Sequence, residues 1–239
     1  MQEKNKTIHP EEHKINHIAK LNWLRAGVLG ANDGIISIAG LVVGVAGATT
    51  SPGIIFTTGI AGIVAGAISM AAGEYVSVSS SRDTEKALLE KERFELKHYP
   101  EAELQELAGI YERKGLSKKT AMTVAQELSA RDPVAAHFDA ELGIDPDNLT
   151  NPWHAAFASA IAFSVGALIP ITAIILPPEE LRIPVAFIAV IIALIITGII
   201  SAKIGQANVL RAVARVVLGG ALAMIVTYGI GRLFGIKGM

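Results

Sequence analysis

Across the 56 residues from Ala26 to Ser81 the chain carries only two charged side chains, Asp33 and Glu74. Such runs recur. No Asp, Glu, Lys or Arg falls between Asp147 and Glu179, between Arg182 and Lys203, or between Arg215 and Arg232. Segments of this kind cannot face water along their length, and about 20 mostly apolar residues suffice for one helix to cross a bilayer. Composition agrees. Apolar residues make up 51% and charged residues 18%, and the mean hydropathy is +0.45, whereas a soluble domain is about a quarter charged. An ordinary soluble globule and a disordered chain are excluded. The absence of cysteine excludes a disulfide-stapled secreted domain. A net charge of −1 speaks against general nucleic-acid binding. The pattern predicts an all-α integral membrane protein with one polar insert.

Five spans are expected. The first covers about 24–48 and the second about 54–79, with Thr49-Thr50-Ser51-Pro52-Gly53 as the turn between them. The third is His154–Leu176, ended by Pro177-Pro178, and the fourth is Pro184–Lys203. The fifth covers about 209–234, with Arg211 and Arg215 snorkelling from its start. The corresponding domains are a cytosolic amino-terminal segment (1–23), the first two spans (24–79), a cytosolic helical insert (80–150) and the last three spans (151–239). Residues Met1–Lys20 are polar and unlike a secretory signal peptide, and they predict a cytosolic surface helix. Lys and Arg divide eighteen to three between the two sides of this layout. The amino terminus and the insert are therefore expected in the cytoplasm and the carboxyl terminus opposite. Without the long insert, which obeys the rule weakly, the count is still eight to three.

An ionisable group inside a span opposes insertion by roughly 2.5–3.5 kcal/mol and marks function by default. Asp33 lies about 13 Å and Glu74 about 9 Å from the cytosolic ends of their helices, with Met70 one turn deeper than Glu74. Gly62, Gly66, Met70 and Glu74 share one helix face. Asp33, Ser37, Gly40 and Gly44 share another. Each stripe joins a carboxylate to a GxxxG pair that permits close helix approach. If the stripes face each other, two oxygen ligands and one thioether converge, a set suited to a divalent first-row metal. The competing readings are hydrogen-bonded structural acids and, for Met70, a core gap filler.

Residues 82–141 hold 13 acids and 10 bases. No Gly or Pro interrupts 82–99, and Pro100 then kinks or restarts the helix, which continues to about Lys114. Gly115 ends it. Ser117 caps a second helix through Ala130, and Asp132-Pro133 opens a third through about Leu142. Glu92 and Glu95 form an i,i+3 pair, as do Glu103 and Glu106. The two pairs lie roughly 16 Å apart on a straight helix unless Pro100 folds one towards the other. His137 and Glu141 are i,i+4. Glutamates with one imidazole suit Fe(II), Mn(II) or Zn(II). The alternative is a solvated face with Lys91, Arg93 and Lys97 interleaved.

The first helix carries Leu-Arg-Ala-Gly-Val-Leu-Gly-Ala-Asn-Asp-Gly-Ile (24–35). The second carries Ala-Gly-Ala-Ile-Ser-Met-Ala-Ala-Gly-Glu-Tyr-Val-Ser-Val (65–78). Both are similar to signatures of the vacuolar iron transporter family, and the resemblance extends over essentially the whole chain. It implies a non-enzymatic transporter that moves cytosolic Fe(II), often Mn(II), out of the cytosol in exchange for protons. It also implies a homodimer with the path at the subunit interface. Asp33 and Met70 would line that path with Glu74 nearby, and Glu92, Glu95, Glu103, Glu106 and Glu141 would bind metal in the insert. His137 departs from the family, which tends to carry methionine there. An imidazole makes the site harder and more sensitive to pH. Metal ions, with Zn(II) and Co(II) as further ligands, are thus expected as substrate or bound ion and not as a prosthetic group. Short loops and the lack of a long targeting extension predict a bacterial cytoplasmic membrane.

Two other function classes compete. A membrane-anchored metal sensor has no need of two intramembrane acids. A membrane aspartyl protease needs two aspartates, and only Asp33 lies in a span, while no HExxH helix is present for a zinc protease.

Overall fold

The computed structural model describes residues 16–143 and 150–235. Among them the chain is all helical. The elements are α1 (Asn16–Ala48), α2 (Pro52–His98), α3 (Pro100–Arg113), α4 (Lys118–Arg131), α5 (Pro133–His137), α6 (Pro152–Ile175), α7 (Arg182–Ile204) and α8 (Val209–Phe234). A π-helical turn, Phe138–Leu142, continues α5, and a 3₁₀ turn, Glu179–Leu181, precedes α7. Most of the expected surface helix at 1–20 lies outside the described residues; α1 begins at Asn16.

Among the described residues, five helices are long and apolar enough to cross a membrane: α1 from Ala26, α2, α6, α7 with its preceding turn, and α8. Their bounds follow the apolar runs to within a few residues. The second departs from expectation in one respect. α2 runs without a break from the apolar segment through Ser79-Ser80-Ser81 into the charged segment, as one helix of 47 residues. Serine is a mediocre helix former but no breaker, and the first proline after Pro52 is Pro100.

The chain divides into two compact units, one made of the residues through Glu74 together with those from Trp153 onward, the other of Tyr75–Pro152. In the first, α1 is central. Ile35, Ile38, Ala39, Val42 and Val43 are buried with Phe163, Ala167 and Ile174 of α6 and Val190 and Leu194 of α7. Close approach explains two glycines. A Cβ on Gly34 would run into the backbone carbonyl of Phe163 on α6, and one on Gly231 of α8 into that of Gly44 on α1. Arg182 Nη1 donates to the Thr50 carbonyl (2.8 Å), which ties the start of α7 to the α1–α2 turn. The apolar part of α2 is the least enclosed span: 11% of its most apolar window is buried, against 44% in α1.

In the second unit the turn chemistry matches the sequence. Pro100 restarts the helix at the first position of α3. Gly115, at φ 103°, makes the turn that follows. Ser117 Oγ accepts from the Thr120 N–H (3.3 Å) at the start of α4, and Asp132 Oδ1 accepts from the Ala135 N–H (3.0 Å) at the start of α5. Gly143, at φ 60°, ends the π turn. Leu107, Ala108 and Ala125 form the small core, with Leu104, Tyr111, Met122, Ala136 and Ala140 against it.

Candidate metal centre

Pro100 separates α2 from α3, and the two turns after α3 bring α5 back towards α2. The result is a cluster drawn from three helices. His137, at the end of α5, is fully buried. Its Nδ1 lies 2.9 Å from Glu92 Oε1 on α2, 3.7 Å from Glu103 Oε2 on α3 and 3.9 Å from Glu141 Oε2 on the π turn. Glu92 and Glu103 are themselves buried, while Glu141 is exposed. One ligand atom from each of Glu92, His137 and Glu141 lies within 4.8 Å of the others. The two glutamate pairs are therefore not held apart as on a straight helix.

Neither ring nitrogen of His137, nor Glu92 Oε1, has a hydrogen-bond partner in the structure. The 2.9 Å approach of Nδ1 to Oε1 lacks the alignment of a hydrogen bond. Buried polar atoms are nearly always satisfied, and three orphaned donor atoms in one enclosed cluster fit an ion held by oxygen and nitrogen. Electrostatics agrees. Burial, then the charges of Glu141, Glu103, Glu95 and Glu106, pushes the Glu92 carboxyl up from 4.5 to about 7. Burial, followed by Glu106, Glu95 and Glu141, raises Glu103. Burial lowers the His137 imidazolium below its ordinary range. At neutral pH the imidazole thus keeps a free lone pair, and a divalent ion would relieve the crowded carboxylates. The imidazole made His137 the expected pH-sensitive ligand; the fold adds Glu92, whose buried carboxyl is pushed up to about 7, as a second group that titrates near neutral pH.

The other two expected ligands are placed differently. Glu95, half-buried, pairs with Lys91 on its own helix at 3.1 Å. Glu106 is exposed and acts on the cluster through its charge. In the sequence Lys91 reads only as part of a solvated face with Arg93 and Lys97; its place in the field of the cluster depends on α5 folding back.

Asp33, Met70 and Glu74 belong to the other unit. Asp33 is half-buried and accepts from Ser37 Oγ (2.9 Å), one turn on along α1. Met70 is half-buried against the core around α1 and α6, and Glu74 is half-buried near the end of the apolar part of α2. The glycines that share their faces look elsewhere. Gly40 and Gly44 pack on Thr227 of α8, Gly62 on Ile38 and Leu41 of α1, and Gly66 on Phe163 of α6. The two GxxxG pairs therefore do not form one seam with each other within a single chain.

The VIT family model matches residues 24–232. The chain is 42% identical over 227 residues to the vacuolar iron transporter of Acanthamoeba castellanii, covering 95% of this chain and 84% of that protein. It is 38% identical to vacuolar iron transporter homolog 5 of Oryza sativa, covering 92% of this chain and 85% of the relative. With vacuolar iron transporter homolog 2.1 of Arabidopsis thaliana it shares 32%, over 96% of this chain and 89% of the relative.

Proposed function

The chain belongs to the VIT family, and from that premise we propose that it exports Fe(II), with Mn(II) as a second substrate, out of the cytosol in exchange for protons. The reading of the α2–α5 unit as a metal-capturing domain is carried by one observation: His137 and Glu92, both buried, hold three donor atoms without hydrogen bonds beside Glu103 and Glu141. Family membership and the two acids in otherwise apolar helices support transport as the outcome.

The cytosolic carboxylates collect the ion first. Glu92, His137 and Glu141 hold it, and Glu103, Glu95 and Glu106 add negative charge that raises the local concentration of cations. The ion then passes Asp33, Met70 and Glu74. Protonation of the two carboxylates on the return stroke releases it on the far side and carries protons inward. The path forms between two copies of the chain. The largely uncovered apolar part of α2 supports that arrangement, because a second copy would cover Ile60, Val64 and Ile68, which one chain leaves exposed. The excess of Lys and Arg beside α1 and in the insert supports a cytosolic amino terminus and insert. The names of the relatives place those proteins at a vacuole. The short connections of this chain, such as the four residues between α7 and α8, are what favour a bacterial cytoplasmic membrane instead.

The test is Fe(II) flux into proteoliposomes over a range of metal concentrations. Asp33→Ala should abolish it. Replacing Glu92, Glu95, Glu103, Glu106 and Glu141 together by Ala should lower flux most at low metal, with partial recovery at high metal. Unchanged initial rates in Asp33→Ala sink the path. Flux untouched at every concentration in the five-Ala protein sinks capture. Metal binding without any flux in the unaltered protein leaves a membrane-anchored sensor.

A further inference from the structure

The carboxylates around His137 have a positive neighbour that capture does not explain. Lys91 precedes Glu92 on α2, and its Nζ lies 3.1 Å from Glu95 Oε2, one turn further along the helix. Glu95 is an expected metal ligand, yet the close-set group of Glu92, His137 and Glu141 does not include it. The lysine belongs to the field of the whole cluster. Past Glu95, its ammonium is within coulombic reach of Glu141 and Glu92. The side chain is 67% exposed. An exposed i,i+4 pair is held weakly, so the ammonium is free to swing into solvent when another cation arrives.

We propose that Lys91 is a tethered counter-cation of the metal centre, neutralising Glu95 until a divalent ion displaces it, and that it thereby sets the affinity of the centre lower than its carboxylates alone would give. This rests on the reading of the cluster as a metal centre. An arriving divalent ion must break the Lys91–Glu95 pair to recruit Glu95, and even without recruiting it the ion is repelled by the nearby ammonium. Because Lys91 is solvated, both effects are screened and modest, about two- to fivefold in affinity. The direction suits a centre that feeds a transport path. A ligand set that is too tight would trap the ion, and a lysine ready to return to Glu95 favours release.

The experiment is competitive titration of Zn(II) against a chromophoric chelator, using the full-length protein in detergent, at low and at high salt. Lys91→Met keeps the alkyl stem and removes the charge, and Lys91→Arg keeps the charge. Lys91→Met should bind Zn(II) two- to fivefold more tightly than the unaltered protein at low salt, with the gain shrinking at high salt, and Lys91→Arg should stay near the unaltered value. Equal or weaker binding by Lys91→Met, with the unaltered protein binding normally, overturns this inference alone and makes Lys91 inert or a support for Glu95. Failure of the unaltered protein to bind Zn(II) removes the metal centre itself.

Discussion

Glu92→Gln separates the two roles that a buried carboxyl plays in the α2–α5 unit. The Glu92 side chain is only 5% exposed, and its pKa is pushed from 4.5 to about 7, by burial first and by Glu141 and the other glutamates next. An acid whose folded pKa is raised weakens the fold wherever it must ionise. The penalty is absent well below pH 4.5, grows as the pH rises towards 7, and is complete above it. At 1.36 kcal/mol per pH unit the full penalty is about 3 kcal/mol for the metal-free protein, and about 2.5 kcal/mol of it falls between pH 5 and pH 8. Glutamine has the same shape and no charge. Hydrogen exchange of the α3–α5 amides, in the full-length protein with a chelator present and corrected for intrinsic rates, reads the local opening constant directly. That constant should rise between pH 5 and pH 8 by on the order of fiftyfold more in the unaltered protein than in Glu92→Gln. Glu103, also raised by burial, leaves a residual slope in both. The same variant should lose at least tenfold in Zn(II) affinity, since an amide oxygen is a far poorer ligand than a carboxylate. Equal pH dependence in the two proteins, or lower protection of Glu92→Gln at pH 8, would refute the claim that a strained buried carboxyl is held ready for a cation.

Metal affinity itself should strengthen as the pH rises through about 7, because a bound ion must displace the Glu92 proton; a midpoint well below the ordinary histidine value instead, in a Zn(II) titration over the acid and neutral range, would return the controlling proton to His137, which burial lowers. Met70→Ala should slow Fe(II) and Co(II) flux more than Mn(II) flux, since Mn(II) prefers oxygen over a thioether, and an equal loss for all three ions means that Met70 only packs. Gly34→Ala forces a methyl into the Phe163 backbone and should destabilise the membrane unit by about 1–3 kcal/mol, read as a lower melting temperature in detergent; Gly53→Ala, where nothing lies within 4 Å of the added atom, is the matched control.

Much of this was legible in the sequence. The spans are set by hydropathy alone, and in the insert Pro100, Gly115, Ser117 and Asp132-Pro133 act as local signals that no distant contact overrides. The continuity of α2 was less visible, because the fall in hydropathy after Val78 marks a change of solvent and not a change of backbone. Spacing gave the His137–Glu141 pair and the two glutamate pairs. It could not give the contact of His137 with Glu92, 45 positions earlier, which depends on how α3, α4 and α5 fold back on α2. The glycine stripes show the limit most clearly. Small residues announce a close approach but not the partner: Gly62 does meet α1, but α8 takes Gly40 and Gly44 and α6 takes Gly66, where the pattern pointed from α1 to α2.

Proton exchange is the central claim, and one recording tests it most directly. The full-length protein is reconstituted into liposomes holding a pH-sensitive dye and a metal-sensitive dye, with Fe(II) added on the side of the insert under a reductant. Metal entry should be accompanied by alkalinisation of the lumen, in step with it and in fixed proportion, and both signals should vanish in Asp33→Ala. Metal entry at an unchanged internal pH, with the membrane potential clamped, would contradict antiport and leave a uniporter.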